Sequence, residues 1–226
     1  MKMNAPLLKD RALRSVLAIP GIVASLLVLL PSQALAHHAE WMKGRPFVQG
    51  LSMPLHGVDH MLVALAAGLM AAQLGAGAFW GIPGVFAIFM LIAGVLNVNG
   101  IAVPGIEPAI LASVLILGVI LTRRRPVSPI VGAALVALLA AIQGSALIQS
   151  PATPTADGSL LRFSVGCVLS ALAVLGCGMG LGVAIERLQR REVLRYAGAT
   201  IFAAGLLIYV FPAANDVVIR LFERAP

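Results

Sequence analysis

The chain has 226 residues, of which 60% are hydrophobic and only 11% are charged. A soluble domain averages about 25% charged residues, so this composition excludes an ordinary soluble domain, and it equally excludes a charge-rich disordered chain. Sixteen basic and 9 acidic residues give a net charge of +7. We relate this excess to membrane topology and not to nucleic acid, because basic residues collect on the cytoplasmic side of membrane proteins.

The N-terminus has the three parts of a secretory signal peptide. Residues 1–14 hold four basic side chains and one acid, residues 15–30 are uncharged and apolar, and the triplet at 34–36 is a small-x-small cleavage site. We therefore predict cleavage after residue 36; the alternative is an uncleaved first helix. The mature chain would carry 12 basic and 8 acidic residues.

Six apolar stretches follow, each near the length of about 20 residues that a helix needs to cross the hydrocarbon. They lie at about 55–75, 78–97, 102–121, 127–149, 161–185 and 195–213. Strands are disfavoured, because stretches of this length show no polar alternation. The sequence thus predicts an all-α membrane protein, a six-helix transmembrane bundle after a cleavable signal peptide.

The loop charges orient the predicted bundle. With the mature N-terminus in the periplasm, the arginine clusters at 123–125 and 187–195 both fall in cytoplasmic connections, as the positive-inside rule expects. The expected location is the inner (plasma) membrane of a bacterium. The predicted parts are a signal peptide (1–36), a periplasmic N-terminal segment (37–54), a six-span transmembrane domain (55–213) and a C-terminal tail (214–226).

Small residues and the two cysteines have structural interpretations. Gly178 and Gly182 form a GxxxG pair, which is typical of helices that approach closely in lipid. Cys167 and Cys177 lie on one predicted helix, about 15 Å apart along its axis, so they cannot form a disulfide with each other.

The first span holds ionisable side chains at a depth where each charge costs at least about 2.5–3.5 kcal/mol. His56 and His60 are four residues apart and are expected one above the other on a helix face, with Asp59 alongside. Two imidazoles and a carboxylate suit Ni²⁺, Co²⁺, Zn²⁺ or Cu²⁺. Alternatively, Asp59 would orient one imidazole, or the three residues would form a polar cluster at the headgroup boundary.

Further polar residues are expected at the same depth. Glu107 lies near the outer end of the third span, in a proline- and glycine-rich stretch that indicates a broken or late-starting helix, and Gln143 lies near the outer end of the fourth. Their other possible roles are a carboxylate at a helix N-terminus and an interhelical hydrogen bond. After cleavage, His37 and His38 with the new amine form a second candidate metal site, or simply a polar tail.

These motifs resemble the HupE/UreJ family of hydrogenase and urease accessory membrane proteins. The family's first-span signature reads roughly His-Pro-x-x-Gly-x-Asp-His. This chain matches it at Pro54, Gly57, Asp59 and His60, whereas Met53 stands at the leading histidine. The stretch 105–108 (GIEP) is similar to the start of the family's third span.

The chain departs from the family in the fourth span. The family's signature there is roughly Phe-His-Gly-x-Ala-His-Gly-x-Glu, and the corresponding stretch here is 142–150 (IQGSALIQS). Gly144 and Ala146 match, but both histidines and the glutamate are absent. The sequence therefore predicts a divergent member that lacks the second histidine motif.

The resemblance implies a nickel or cobalt permease that collects its metal from the periplasm, and not an enzyme. The metal is substrate or ligand, no organic cofactor is expected, and the implied partners are the lipid bilayer and metalloenzyme maturation proteins, without nucleic acid. The candidate metal ligands are His56, Asp59, His60 and Glu107, with His37 and His38 at the mature N-terminus.

Two other functions compete with transport. A non-transporting membrane metal-binding or accessory protein for metalloenzyme assembly would explain the missing fourth-span histidines. An intramembrane zinc hydrolase is disfavoured, because its site needs a third strong ligand and only two histidines lie in the predicted spans. The sequence leaves open the metal, the direction of transport and the oligomeric state.

Overall fold

The structure is a computed structural model that describes residues 44–101, 103–123, 125–148, 159–188 and 191–210. Within these residues it consists of seven helices without strands, which confirms the all-α prediction for this part of the chain. The predicted signal peptide, His37, His38 and the C-terminal tail lie outside it. The helices are α1 (Pro46–His56), α2 (Val58–Gln73), α3 (Ala76–Val98), α4 (Ile106–Thr122), α5 (Pro129–Ile148), α6 (Ser159–Arg187) and α7 (Arg191–Val210).

Four of these helices, α3, α5, α6 and α7, are long and apolar enough to cross a membrane. Helices α1 and α2 provide a fifth crossing if the bent pair is regarded as one span. Helix α4 has 17 residues, which is the lower limit of about 17 for a crossing helix. Every predicted stretch thus contains a helix, while length and composition identify four or five crossings in the described residues.

The outer surface of the bundle is apolar. Ile130, Leu161 and Ile88 are 82%, 70% and 56% exposed, and they lie on three different helices. A soluble protein rarely leaves so many large aliphatic side chains in water. This surface, together with the apolar helices, is that of a membrane protein.

The predicted first span is not one continuous helix. Helix α1 ends at His56 and α2 begins at Val58, with a bend of 78° between them. Gly57 has extended backbone at the break, with φ −102° and ψ 114°. Pro54 and Gly57 are the cause, because proline and glycine cost about 3 and 1 kcal/mol relative to alanine inside a helix. Helix α1 also occupies much of the segment that was expected to precede the bundle.

Helix α2 is the central helix. Ten of its 16 residues are buried, and it packs along α6 while also touching α3, α4, α5 and α7. A helix that is apolar on every side is expected in such a position. The residues at the start of α2 therefore belong to a helix that contacts each of the other six.

Glycines bring α2 and α6 together. A Cβ at Gly68 would collide with the carbonyl of Leu175, and a Cβ at Gly178 would collide with the carbonyl of Leu65. A Cβ at Gly182 would collide with the side chain of Ala72. We call Gly68, Gly178 and Gly182 the glycine seam; it confirms that the predicted GxxxG pair is a packing face. Along α6 the two cysteines are free, as expected from their spacing.

Helix α5 is fixed to α3 near the end that carries Gln143. Gly144 lies directly against the backbone of Met90, and Asn97 Nδ2 donates a hydrogen bond of 3.1 Å to the carbonyl of Ser145. These two contacts set both the distance and the rotation of α5. Gln143 immediately precedes these two residues, and the rotation that they set directs its side chain to the start of α2.

Candidate metal site at the break between α1 and α2

The candidate site is built on the first turn of α2. The first N–H groups of a helix have no partner within the helix, and they attract negative charge. Asp59 uses this property, because its Oδ1 accepts a hydrogen bond of 2.9 Å from the backbone N–H of His60. The carboxylate is therefore held close to the backbone on the same turn as the imidazole.

Gln143 of α5 closes the site from the other side. Its side chain is only 2% exposed, and it makes two hydrogen bonds to one residue of α2. The amide Oε1 lies 2.5 Å from Nδ1 of His60, and the amide Nε2 donates to the backbone carbonyl of His60 at 3.1 Å. This pair joins residues 83 positions apart and fixes the ring of a half-buried histidine.

Gly57 provides the space in which the side chains meet. A Cβ built on Gly57 would lie 2.6 Å from Cδ2 of His60 and 2.7 Å from Oδ1 of Asp59. Both distances are shorter than any real contact of a Cβ, so a side chain at this position would displace one or both groups. The imidazole of His60 and the carboxylate of Asp59 therefore both approach the break at Gly57.

His56 does not occupy the predicted position on a shared helix face. The break at Gly57 places His56 at the end of α1, whereas Asp59 and His60 belong to α2. The expectation that the two histidines stack one turn apart on a single helix is therefore wrong. The cause is the pair of helix-weakening residues, Pro54 and Gly57, around them.

Glu107 lies in the first turn of α4, as the interrupted sequence before it predicted. Gly105 has φ +67° and the helix starts at Ile106, so Glu107 is in the first turn and exposed. This is the position that a helix dipole favours for a carboxylate. Among the side chains that the structure describes, no three or more His, Cys, Asp or Glu groups come together as a metal site, so Glu107 does not join Asp59 and His60.

The structure thus brings together two of the predicted ligands and adds a partner for one of them. The expected approach of Gln143 to the first span is observed, but its bond to His60 could be predicted only as a general interhelical contact. One imidazole and one carboxylate supply nitrogen and oxygen ligands of the kind that Ni²⁺ and Co²⁺ accept. The remaining coordination positions would be filled by water or by ligands that arrive from elsewhere.

Comparison with known proteins adds two findings. The family described as HupE / UreJ protein matches residues 25–208 of the chain. Protein HupE of Rhizobium leguminosarum bv. viciae is 34% identical over 184 residues, which cover 80% of this chain and 92% of the relative. No solved structure matches the chain.

Proposed function

The chain belongs to the HupE/UreJ family, as its motifs predict, and we propose that it is an inner-membrane permease for nickel or cobalt ions. In this proposal the signal peptide is cleaved after residue 36 and the mature N-terminus is periplasmic. Helices α1 and α2 form one broken span in a bundle of six. The metal ion is the substrate, and the protein is not an enzyme.

The observation that carries the proposal is the convergence of Asp59 and His60 at the Gly57 break. An acid and an imidazole within a membrane bundle are costly, and they usually mark a substrate pathway. Irregular backbone at membrane depth occurs where it lines a cavity or is buried in protein, and interrupted helices form ion sites in many transporters. The broken backbone, the carboxylate and the imidazole all lie within residues 57–60, at the start of α2.

The charges around Asp59 and His60 favour transient binding of a metal cation. The N-terminus of α2 has the positive end of the helix dipole, which repels a cation, and the carboxylate of Asp59 opposes that field. Binding would therefore depend on Asp59 for charge and on Nε2 of His60 for ligand strength. A site of this kind captures an ion without holding it tightly, and a permease must also release its substrate.

Passage beyond this pair requires movement of the bundle. The residues that follow on α2, including Leu62, Val63 and Met70, are apolar and buried. We propose further ligands on the approach to Asp59 and His60, namely His56, Glu107, His37 and His38. An ion bound at His60 would cross only when the helices around α2 separate.

Uptake of radioactive nickel or cobalt into cells tests the proposal. We expect His60→Ala and Asp59→Asn to lose most of the uptake that the wild type confers. Ser113→Ala is the matched control, because it removes another buried polar side chain whose hydrogen bond stays within α4. Equal uptake by His60→Ala and wild type, at equal amounts of protein in the membrane, would contradict the proposed site.

One observation favours a second function, a non-transporting metal-binding or accessory protein for metalloenzyme assembly. Gln143 stands where the family signature has a histidine, and Leu147 stands at the second histidine. The ligands that would receive the ion from His60 are therefore missing from α5. Stoichiometric metal binding in detergent without flux into proteoliposomes would select this function over transport.

A further inference from the structure

The two hydrogen bonds between Gln143 and His60 determine where the proton of the neutral imidazole lies. The backbone carbonyl of His60 can only accept, so the end of the Gln143 amide that faces it must be the NH₂ group. The other end of the amide is then the oxygen, which also can only accept. The nitrogen that faces it, Nδ1 of His60, must therefore have the hydrogen.

We infer that Gln143 is a positioning residue that holds His60 as the Nδ1–H tautomer and so presents the lone pair of Nε2 to a metal ion. A neutral imidazole has one N–H and one lone pair, and only the nitrogen with the lone pair can bind a metal. The inference rests on the proposed function only in taking a metal ion as the ligand of Nε2.

The surroundings of the ring agree with this orientation. Cδ2 of the ring and Oδ1 of Asp59 both lie near Gly57, whereas Nδ1 faces the buried amide of α5. A proton on Nε2 would leave Nδ1 and the amide oxygen as two acceptors face to face in a buried site, which is costly. The protein therefore favours the ring state with the hydrogen on Nδ1 and the lone pair on Nε2, away from Gln143.

Gln143 is rigidly placed for this role. Gly144 packs on the backbone of Met90, and the carbonyl of Ser145 accepts a hydrogen bond from Asn97, so the turn of α5 around Gln143 is held by α3. A carbonyl-type partner on the second imidazole nitrogen fixes the tautomer and the orientation of a ligating histidine. The glutamine at the family's histidine position thus supplies an oriented acceptor in place of another imidazole ligand.

Nitrogen NMR of the histidine rings tests the inference without any metal. The protein would be labelled with ¹⁵N-histidine, studied in detergent at alkaline pH where free imidazole is neutral, and assigned by comparison with His60→Ala. We expect His60 to show a protonated Nδ1 and an unprotonated Nε2. In Gln143→Leu the proton should move to Nε2 or exchange between the two nitrogens. Ser113→Ala, which removes a hydroxyl bonded only within α4, should keep the wild-type spectrum.

Titration with Ni²⁺ alone gives the second readout. We expect Gln143→Leu to bind Ni²⁺ about 10–100-fold more weakly than wild type, which is the usual effect of losing such a partner. Gln143→Glu should retain the Nδ1–H signal, because one carboxylate oxygen still accepts that hydrogen bond, but its second oxygen faces the carbonyl of His60 without a proton and should lower stability. Thermal unfolding of each variant separates misfolding from a change of tautomer.

The results separate the inference from the proposed function. A wild-type His60 protonated on Nε2, or a Gln143→Leu protein with unchanged ring signals and unchanged Ni²⁺ affinity, would overturn the inference. If the wild type shows the Nδ1–H ring and no Ni²⁺ binding at all, the proposed function fails while the role of Gln143 in setting the tautomer stands.

Discussion

Two regions of α2 use glycine for opposite purposes. At the start of the helix, Gly57 leaves space for the side chains of Asp59 and His60, whereas Gly68 further along leaves space for the backbone of α6. The first region gathers polar groups that lipid disfavours, and the second lets two apolar helices approach more closely than side chains would allow. The start of α2 thus belongs to the proposed metal site, whereas the part around Gly68 stabilises the bundle.

The largest effect is expected at the glycine seam. In Gly178→Ala the new methyl group would overlap the carbonyl of Leu65, a backbone atom that cannot move alone. We expect a loss of about 1–3 kcal/mol or more in the free energy of unfolding, measured by thermal or denaturant unfolding in detergent. Gly176→Ala is the matched control, because nothing lies within 4 Å of its Cβ position on the same helix. Equal stability of the two variants would remove the distinction between seam and surface.

A substitution at Gly57 should separate activity from stability. The methyl group of Gly57→Ala would displace the ring of His60, the carboxylate of Asp59, or both, without touching the seam. We expect metal uptake to fall at least about tenfold, because a positional change near 1 Å is enough for such losses, while the protein remains folded. Gly81→Ala, in open space on α3, should leave uptake unchanged. Normal uptake by Gly57→Ala would argue that this glycine has only a backbone role.

The contact between α3 and α5 should show an intermediate effect. Asn97→Leu removes the hydrogen bond to the carbonyl of Ser145 but keeps the glycine contact at Gly144. We expect a loss of about 0.5–1.5 kcal/mol in the free energy of unfolding and only a partial loss of metal uptake, because Gly144 still holds α5 against α3. Unfolding in detergent measures the first effect, and uptake of radioactive nickel into cells measures the second. Complete loss of uptake would show that the placement of Gln143 depends on this bond more than on Gly144.

The smallest effect is expected far from both regions. Arg195 of α7 donates from Nε to the carbonyl of Thr122 at 3.1 Å, which satisfies one free carbonyl at the end of α4. The bond is exposed, so Arg195→Gln should reduce the free energy of unfolding by less than about 1 kcal/mol and leave metal binding unchanged. A larger loss would indicate that α4 and α7 depend on this bond as well as on Gly118 and Gly198.

The sequence predicted the helices well because their cause is local. Long apolar stretches determine where helices form in lipid, and the GxxxG pair indicated the packing face of α6 before its partner was known. That partner, Gly68, is not marked by any pattern of its own. Whether a glycine is at an interface depends on how two helices are rotated about their axes, which composition does not specify.

The candidate site was less predictable because its geometry is tertiary. Pro54 and Gly57 weaken the helix around His56 and His60, but a weakened helix can still be continuous. That the helix bends at Gly57 also depends on how α1 packs against α6. The pairing of Gln143 with His60 joins residues 83 positions apart. Topology placed them at a similar depth, but the bond itself depends on how Gly144 and Asn97 fix the rotation of α5.

Nickel flux into proteoliposomes tests the central claim most directly. Purified wild type, His60→Ala and Gly180→Ala would be reconstituted at equal protein content, the last because its Cβ position is open and remote from Gly57. We predict nickel accumulation by wild type and Gly180→Ala and background levels for His60→Ala. Accumulation by His60→Ala at the wild-type rate, or none by a wild type that still binds Ni²⁺, would contradict a permease that works through Asp59 and His60.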